Sequence, residues 1–155
     1  MAIPPRIDYE TLIYGVAQNY AKDIQLSTLR LYSTSSLTAR LQGEVFFENG
    51  LVLRVREYID FRVNKIMDYS YTVYRGEDKI RWYDPQPHPE NPSLATTFPH
   101  HFHEEPDPST SDPGRRSAQS IKHNRKPAPG ISFDAPNLPT LIADCIRLGE
   151  GRGLG

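Results

Sequence analysis

A single cysteine, Cys145, stands in the 155 residues, so no intramolecular disulfide can staple the chain and no multi-cysteine zinc site can form. Long hydrophobic runs are missing as well. Apolar residues make up 37% of the chain, below the usual globular share, and no stretch approaches the roughly 20 residues of a membrane span. The opening MAIPPRIDYE lacks the charged and then apolar run of a signal peptide. A reducing cytoplasm is the expected location, with no membrane partner. Neither sign of charge dominates: the formal net charge is −1, which removes any whole-molecule argument for a polyanionic partner. There is no internal repeat, no GxGxxG fingerprint and no P-loop, which argues against the familiar nucleotide-cofactor chemistries.

What the chain does have is histidine and proline, concentrated in one place. Four of its five histidines, His88, His100, His101 and His103, fall within WYDPQPHPENPSLATTFPHHFH, residues 82–103, among five prolines. Proline fixes φ and removes a backbone donor, so this stretch reads as a long stiffened loop. Imidazole suits both proton transfer and metal ligation, and loops are where such chemistry is commonly placed.

The remainder supplies the support. Tyr9, Leu12, Ile13, Val16, Ala17 and Tyr20 recur at helical spacing and predict an amphipathic helix over residues 9–22, capped by Asp8. From residue 28 the period becomes alternating. A short strand is expected over 28–33, a Ser/Thr turn at 33–36 and a clear strand over 37–47. Asn49-Gly50 signals a type I′ hairpin, and residues 51–60 return. Strands over 65–75 and 79–84 complete a meander, with Gly76-Glu77-Asp78 turning between them. In the returning strand Glu57 shares a face with Leu51, Leu53, Val55 and Ile59. A carboxylate there needs a cationic or hydrogen-bonded partner, or the rim of a cleft.

Residues 104–130 have almost no large apolar side chains and read as a disordered or weakly ordered linker. Their later half carries Arg115, Arg116, Lys122, Arg125 and Lys126 without an intervening acid, a run that suits RNA or an acidic partner. Asn137 caps a final helix over 138–148, whose stripe includes Leu141, Ile142 and Cys145, and the tail from 150 to 155 is expected to fray. The fold class is α+β: an antiparallel meander sheet of four or five strands packed against N- and C-terminal helices. The domain comprises residues 1–103 and 131–149.

An early helix, a meander carrying EYIDF and MDYSYTVY, a strand ending in RWYD, then HPE and TFPHHFH, resembles the TumE toxins of bacterial toxin–antitoxin pairs. The resemblance spans roughly residues 37–103. It departs from the family pattern at Pro85, where an Asn-containing turn is more usual, and at residues 104–130, which look inserted. It implies a toxin restrained by a cognate antitoxin protein. By analogy with other small toxins, it also implies action on RNA or translation, with a ribonuclease as the first expectation.

A metal-independent ribonuclease needs an acid, a base and a cation near the phosphate. His88, His100, His101 and His103 are candidates for the first two, Arg81 for the phosphate clamp and Tyr71 for orienting substrate. His101 and His103 are the pair expected to share a face. The same pair, completed by His88 and a carboxylate from Glu57 or Asp84, fits a transition-metal site. Acid–base chemistry with no cofactor is the leading expectation, and a divalent metal is the alternative. A third possibility is a non-catalytic module that blocks a cellular target.

Overall fold

The computed structural model describes residues 3–85, 100–104 and 125–152. These form α1 (Arg6–Tyr14), α2 (Val16–Asn19), β1 (Ile24–Ser27), β2 (Arg30–Ser33), β3 (Thr38–Phe47), β4 (Leu51–Asp60), β5 (Lys65–Arg75), β6 (Asp78–Asp84), β7 (His101–Glu104), β8 (Arg125–Pro127) and α3 (Leu138–Arg152). All eight strands join one sheet in the order β1, β3, β4, β5, β6, β7, β8, with β2 also pairing β3. Every pairing is antiparallel.

The α+β class and the central meander are as expected, but four or five strands is too few. The additional strands come from short edge segments. β1 and β2 bind the two halves of β3, with Ser27 opposite Val45 and Arg30 opposite Gln42. The chain between them crosses β3 at Gly43, which has φ +146. A Cβ there would lie 2.6 Å from the Thr28 carbonyl oxygen and 2.7 Å from Leu29 Cα. Only glycine lets these backbones approach so closely.

Strands β7 and β8 lie where a loop and a linker were expected. His101 and His103 are strand residues, and Glu104 and residues 125–127 also belong to the sheet. The expectations for His88, for residues 105–124 and for the last three residues of the tail lie outside the described residues. At the C-terminus, α3 runs through to Arg152, beyond the predicted end at 148. At the N-terminus the single predicted helix is two, separated at Gly15. Its first residue is Arg6 because the Pro5 carbonyl already accepts the Asp8 and Tyr9 N–H groups at 3.0 Å; Asp8 lies in the first turn and is not the cap.

The β3–β4 hairpin forms as predicted, with Phe46 opposite Val52, but its turn differs. Gly50 has φ +90, whereas Asn49 is not among the residues with positive φ, so the type I′ requirement is unmet. The Gly50 N–H instead donates to the Phe47 carbonyl at 3.0 Å. A type I turn followed by a left-handed glycine is the usual three-residue solution. The Asn49 side chain is used in both directions, accepting from Leu51 N–H at 3.0 Å and donating to the Cys145 carbonyl of α3 at 3.2 Å.

Alternation along β3, β4 and β5 gives the sheet two unlike faces. Leu41, Val45, Leu51, Leu53, Val55, Ile59, Tyr71 and Val73 are buried against Tyr9, Ile13 and Val16 of the first helices and Leu138, Leu141, Ile142 and Cys145 of α3. Each buried aliphatic side chain contributes about 1.5–3 kcal/mol relative to exposure. Burial raises the Cys145 thiol pKa to about 12, in keeping with a small core residue. The opposite face carries Arg40, Arg54, Arg56, Asp68 and Ser70, all exposed.

Candidate functional site

Strand β6 divides the predicted site residues between the two faces. Trp82 pairs with His103, and Asp84 with His101. These four side chains are on the open face, while Arg81 and Tyr83 alternate to the helix-covered one. The register brings His101 Nε2 to 3.0 Å from Asp84 Oδ1 and His103 Nε2 to 3.2 Å from Asp84 Oδ2, with the two Nε2 atoms 3.0 Å apart. His101 is 1% exposed and His103 6%, whereas the Asp84 side chain is 27% exposed. Trp82 stacks flat on His103, with ring centres 5.1 Å apart and planes inclined by 8°, and so fixes the imidazole's orientation. Lys79 Nζ lies 4.4 Å above the same indole.

Glu57, Tyr71, Arg81 and His100 occupy the helix-covered side. Glu57 is buried at the centre of the core and accepts hydrogen bonds from the Tyr9 and Tyr71 hydroxyls, one on each carboxylate oxygen. It thus has hydrogen-bonded partners, as a carboxylate on a core face requires, and neither is cationic. Burial raises its pKa above the ordinary carboxylate range, although both hydroxyls pull it down. Burial, reinforced by the Glu57 charge, raises both tyrosines well above their usual value.

The chain of bonds continues. Asn137 Nδ2 donates to the Tyr71 hydroxyl at 2.9 Å and to the Ser132 carbonyl at 2.9 Å, while Asn137 Oδ1 accepts from Ser132 N–H at 3.0 Å. The Asn137 carbonyl accepts from Leu141 N–H at the start of α3, so its backbone occupies the predicted cap position. Its side chain turns to the core instead of bonding the helix.

Arg81 is held by Glu104 at 2.8 Å and packs over the Phe102 ring at 4.3 Å. Burial alone would lower its pKa, but hydrogen bonds to Tyr83 and Glu104 hold it raised. Tyr83 in turn donates to Asp144 of α3 at 2.9 Å. His100 Nδ1 is 2.6 Å from the Tyr69 hydroxyl, and its ring packs on Tyr69 and Phe133. Its pKa is lowered by burial.

Of the seven predicted site residues that are described, three therefore converge on the open face: Asp84, His101 and His103. Their neighbours on the open face include residues that the predictions did not single out. The cross-strand row Glu44, Arg54, Thr72, Trp82, His103 links the arginine side of the sheet to the cluster, with Arg54 roughly 14 Å from His103 at the usual spacing between strands. A shallow groove of about 290 Å³ includes Arg40, Arg56, Tyr58, Asp68 and Ser70 in its walls, and a neighbouring one of about 250 Å³ lies beside Gln42, Glu44 and Arg54. Arg54 reaches Glu44 at 3.6 Å and lies over Tyr74 at 5.0 Å. Arg40 and Arg56 make no ion pair among the described residues. The signal for these arginines was available in the sequence, since they alternate with the apolar positions of β3 and β4.

The fold and site define a class: a helix-backed antiparallel sheet whose open face carries arginines and aromatic rings and ends in a His–His–Asp cluster with both imidazoles buried. The profile of a family described as Toxin TumE matches residues 16–125, and the chain belongs to that toxin family. The match includes residues 104–125, so that part of the suspected insertion lies within the family's span. Membership implies a cognate antitoxin as partner. No curated protein and no solved structure gave a significant match. Among the described residues no helix is long and apolar enough to cross a membrane.

Proposed function

We propose that this toxin acts by cutting RNA, holding a single strand across the open face of the sheet and activating an attacking hydroxyl at Asp84, His101 and His103. The observation that carries the reading is the convergence of two imidazole nitrogens and a carboxylate, 3.0–3.2 Å apart, on the same face as the arginines. Arginine binds phosphate in a planar fork. Exposed rings such as Tyr58 and Tyr32 offer stacking platforms that tolerate any base.

The geometry also bears on how the cluster works. Attacking and leaving oxygens of an in-line displacement lie on opposite sides of phosphorus. Each needs its own catalytic group within hydrogen-bond reach, so a separate acid and base stand more than about 6 Å apart. His101 and His103, at 3.0 Å, act instead as one unit on one oxygen. In the proposed reaction the 2′-hydroxyl loses its proton and its oxygen bonds to phosphorus. The bond from phosphorus to the 5′-oxygen breaks, and that oxygen takes a proton from water.

The test uses purified full-length toxin and a labelled single-stranded RNA. Wild type should cut it, and Asp84→Asn or His101→Gln should not. Arg40→Ala and Arg56→Ala should each weaken binding and reduce the slope of log affinity against log salt by about 0.7 per lost phosphate contact. RNA left uncut with and without divalent metals, by a protein whose toxicity is still abolished by the same substitutions, would overturn catalysis in favour of target blocking.

A further inference from the structure

We infer that Asp84, His101 and His103 form a binding site for one first-row divalent transition ion, held by two imidazole Nε2 atoms and one carboxylate. The argument begins with the atoms that meet. Each imidazole presents Nε2, and neither Nδ1 nor a ring edge, to the same carboxylate. In the Nδ1–H tautomer each Nε2 carries a lone pair, as does the ionised carboxylate. Such atoms repel at 3 Å unless a positive centre lies among them. Nε2–H groups donating to the separate carboxylate oxygens leave the two nitrogens 3.0 Å apart with no proton between them, whereas a dication serves all three groups.

The distances suit an ion. Zinc binds imidazole nitrogen and carboxylate oxygen at about 2.0–2.2 Å, which places tetrahedral ligands about 3.3–3.5 Å from one another. The two nitrogens, 3.0 Å apart, need to open by only a few tenths of an ångström; each faces a different oxygen of Asp84, at 3.0 and 3.2 Å, and one ligand atom from each of the three residues lies within 4.8 Å of the others, so a small turn of the carboxylate completes the set. Nitrogen and oxygen donors without thiolate point to zinc, cobalt, nickel, manganese or ferrous iron rather than calcium or copper(I).

The support around the triad fits the same role. His101 and His103 are on a paired strand, two residues apart and on one face, so the backbone fixes their spacing. Trp82 stacked on His103 holds its ring plane, as the surroundings of metal ligands commonly do. Three ligands among the described residues match the number found in catalytic rather than structural metal sites, where a further position takes water or a substrate hydroxyl. In the RNA reading, on which this last point alone rests, the ion lowers the pKa of the hydroxyl that attacks phosphorus.

The experiment uses full-length toxin stripped with a chelator and dialysed, then titrated with cobalt(II) followed by visible absorption, and with zinc(II) by calorimetry. One equivalent should bind, giving the intense visible bands of a low-coordinate cobalt site. His101→Gln, His103→Gln and Asp84→Asn should each weaken binding by more than the roughly 10- to 100-fold that loss of an outer-shell partner costs. His100→Gln, altered on the opposite face, should bind as wild type does. Far-ultraviolet dichroism identifies any variant that fails to fold, and the wild-type titration decides the matter without them. No saturable binding by wild type, or equal binding by wild type and His101→Gln, overturns the site. Binding is read without RNA, so one bound ion in a protein that cuts no RNA supports the metal site while refuting the nuclease. RNA cutting by a protein that binds no ion does the reverse.

Discussion

The Glu57 carboxylate offers the sharpest test of how the core is assembled, because its two hydrogen-bond donors come from different elements. Tyr9 belongs to α1 and Tyr71 to β5, and both hydroxyls are buried with it. A hydrogen bond to a charged group contributes about 1.5–3 kcal/mol, and leaving its partner unsatisfied in the interior takes the cost toward the upper end. Tyr9→Phe and Tyr71→Phe should therefore each destabilise by about 2–3 kcal/mol. For a chain of this length that lowers Tm by roughly 4–12 °C. In a Glu57→Gln background, where the acceptor is neutral, Tyr9→Phe should cost only about 1 kcal/mol, so a double-mutant cycle exposes the coupling.

The dependence on pH follows from the raised pKa of Glu57. The native state binds this proton more tightly than the unfolded chain does. The group's contribution is therefore most favourable below the ordinary value of 4.5. It declines as pH rises from there through the folded value, then levels off. Tyr9→Phe removes a bond that pulls the pKa down and should extend the decline to higher pH, while Glu57→Gln should abolish it. Urea denaturation at a series of pH values measures all of this. Single substitutions costing under about 0.5 kcal/mol, or a Glu57→Gln profile parallel to wild type, would refute the reasoning.

Two further predictions concern the frame. Gly43→Ala places a Cβ against the Thr28 and Leu29 backbone at φ +146; adding that clash to the strain of roughly 1–3 kcal/mol for an unfavourable backbone conformation, it should detach the β1–β2 segment, seen as lost hydrogen-exchange protection of the Thr28 amide. Leu141→Ala, at a fully buried position on α3, should cost about 2–5 kcal/mol in chemical denaturation. A near-neutral result would mean that the last helix is not part of the cooperative unit.

Much of the sheet was legible because β3, β4 and β5 are long and half-buried, which writes a period of two into the sequence. The Asn49-Gly50 pair marked the hairpin, although its turn type depended on the Asn49 conformation, which composition alone does not fix. β7 was hidden because four residues, His101-Phe102-His103-Glu104, are too few to show a period, and prolines nearby read as loop. β8 was hidden because Arg125-Lys126-Pro127 has no apolar side chain with which to declare a strand. The meeting of Asp84 with His101 and His103 is a consequence of β6–β7 register, invisible until the pairing is known. Parity could have removed Arg81 from the site, since it is an odd number of residues from Asp84 on the same strand. Glu57 was recognisable as a buried acid, but its partners, far away in sequence, were not.

Tyr9 and Asn137 both fall outside the residues that the family profile matches, 16–125, yet both meet at the Glu57–Tyr71 pair within them. A fragment cut to the matched span would therefore leave a buried acid stripped of one clasp, and a tyrosine of its bracing amide, at the middle of its largest sheet. Alignment marks where sequences agree, and the partners of a single interior carboxylate mark residues beyond that span on which the core closes. For transplanting this toxin into a chimera, or trimming it for expression, the second boundary is the one that must be respected.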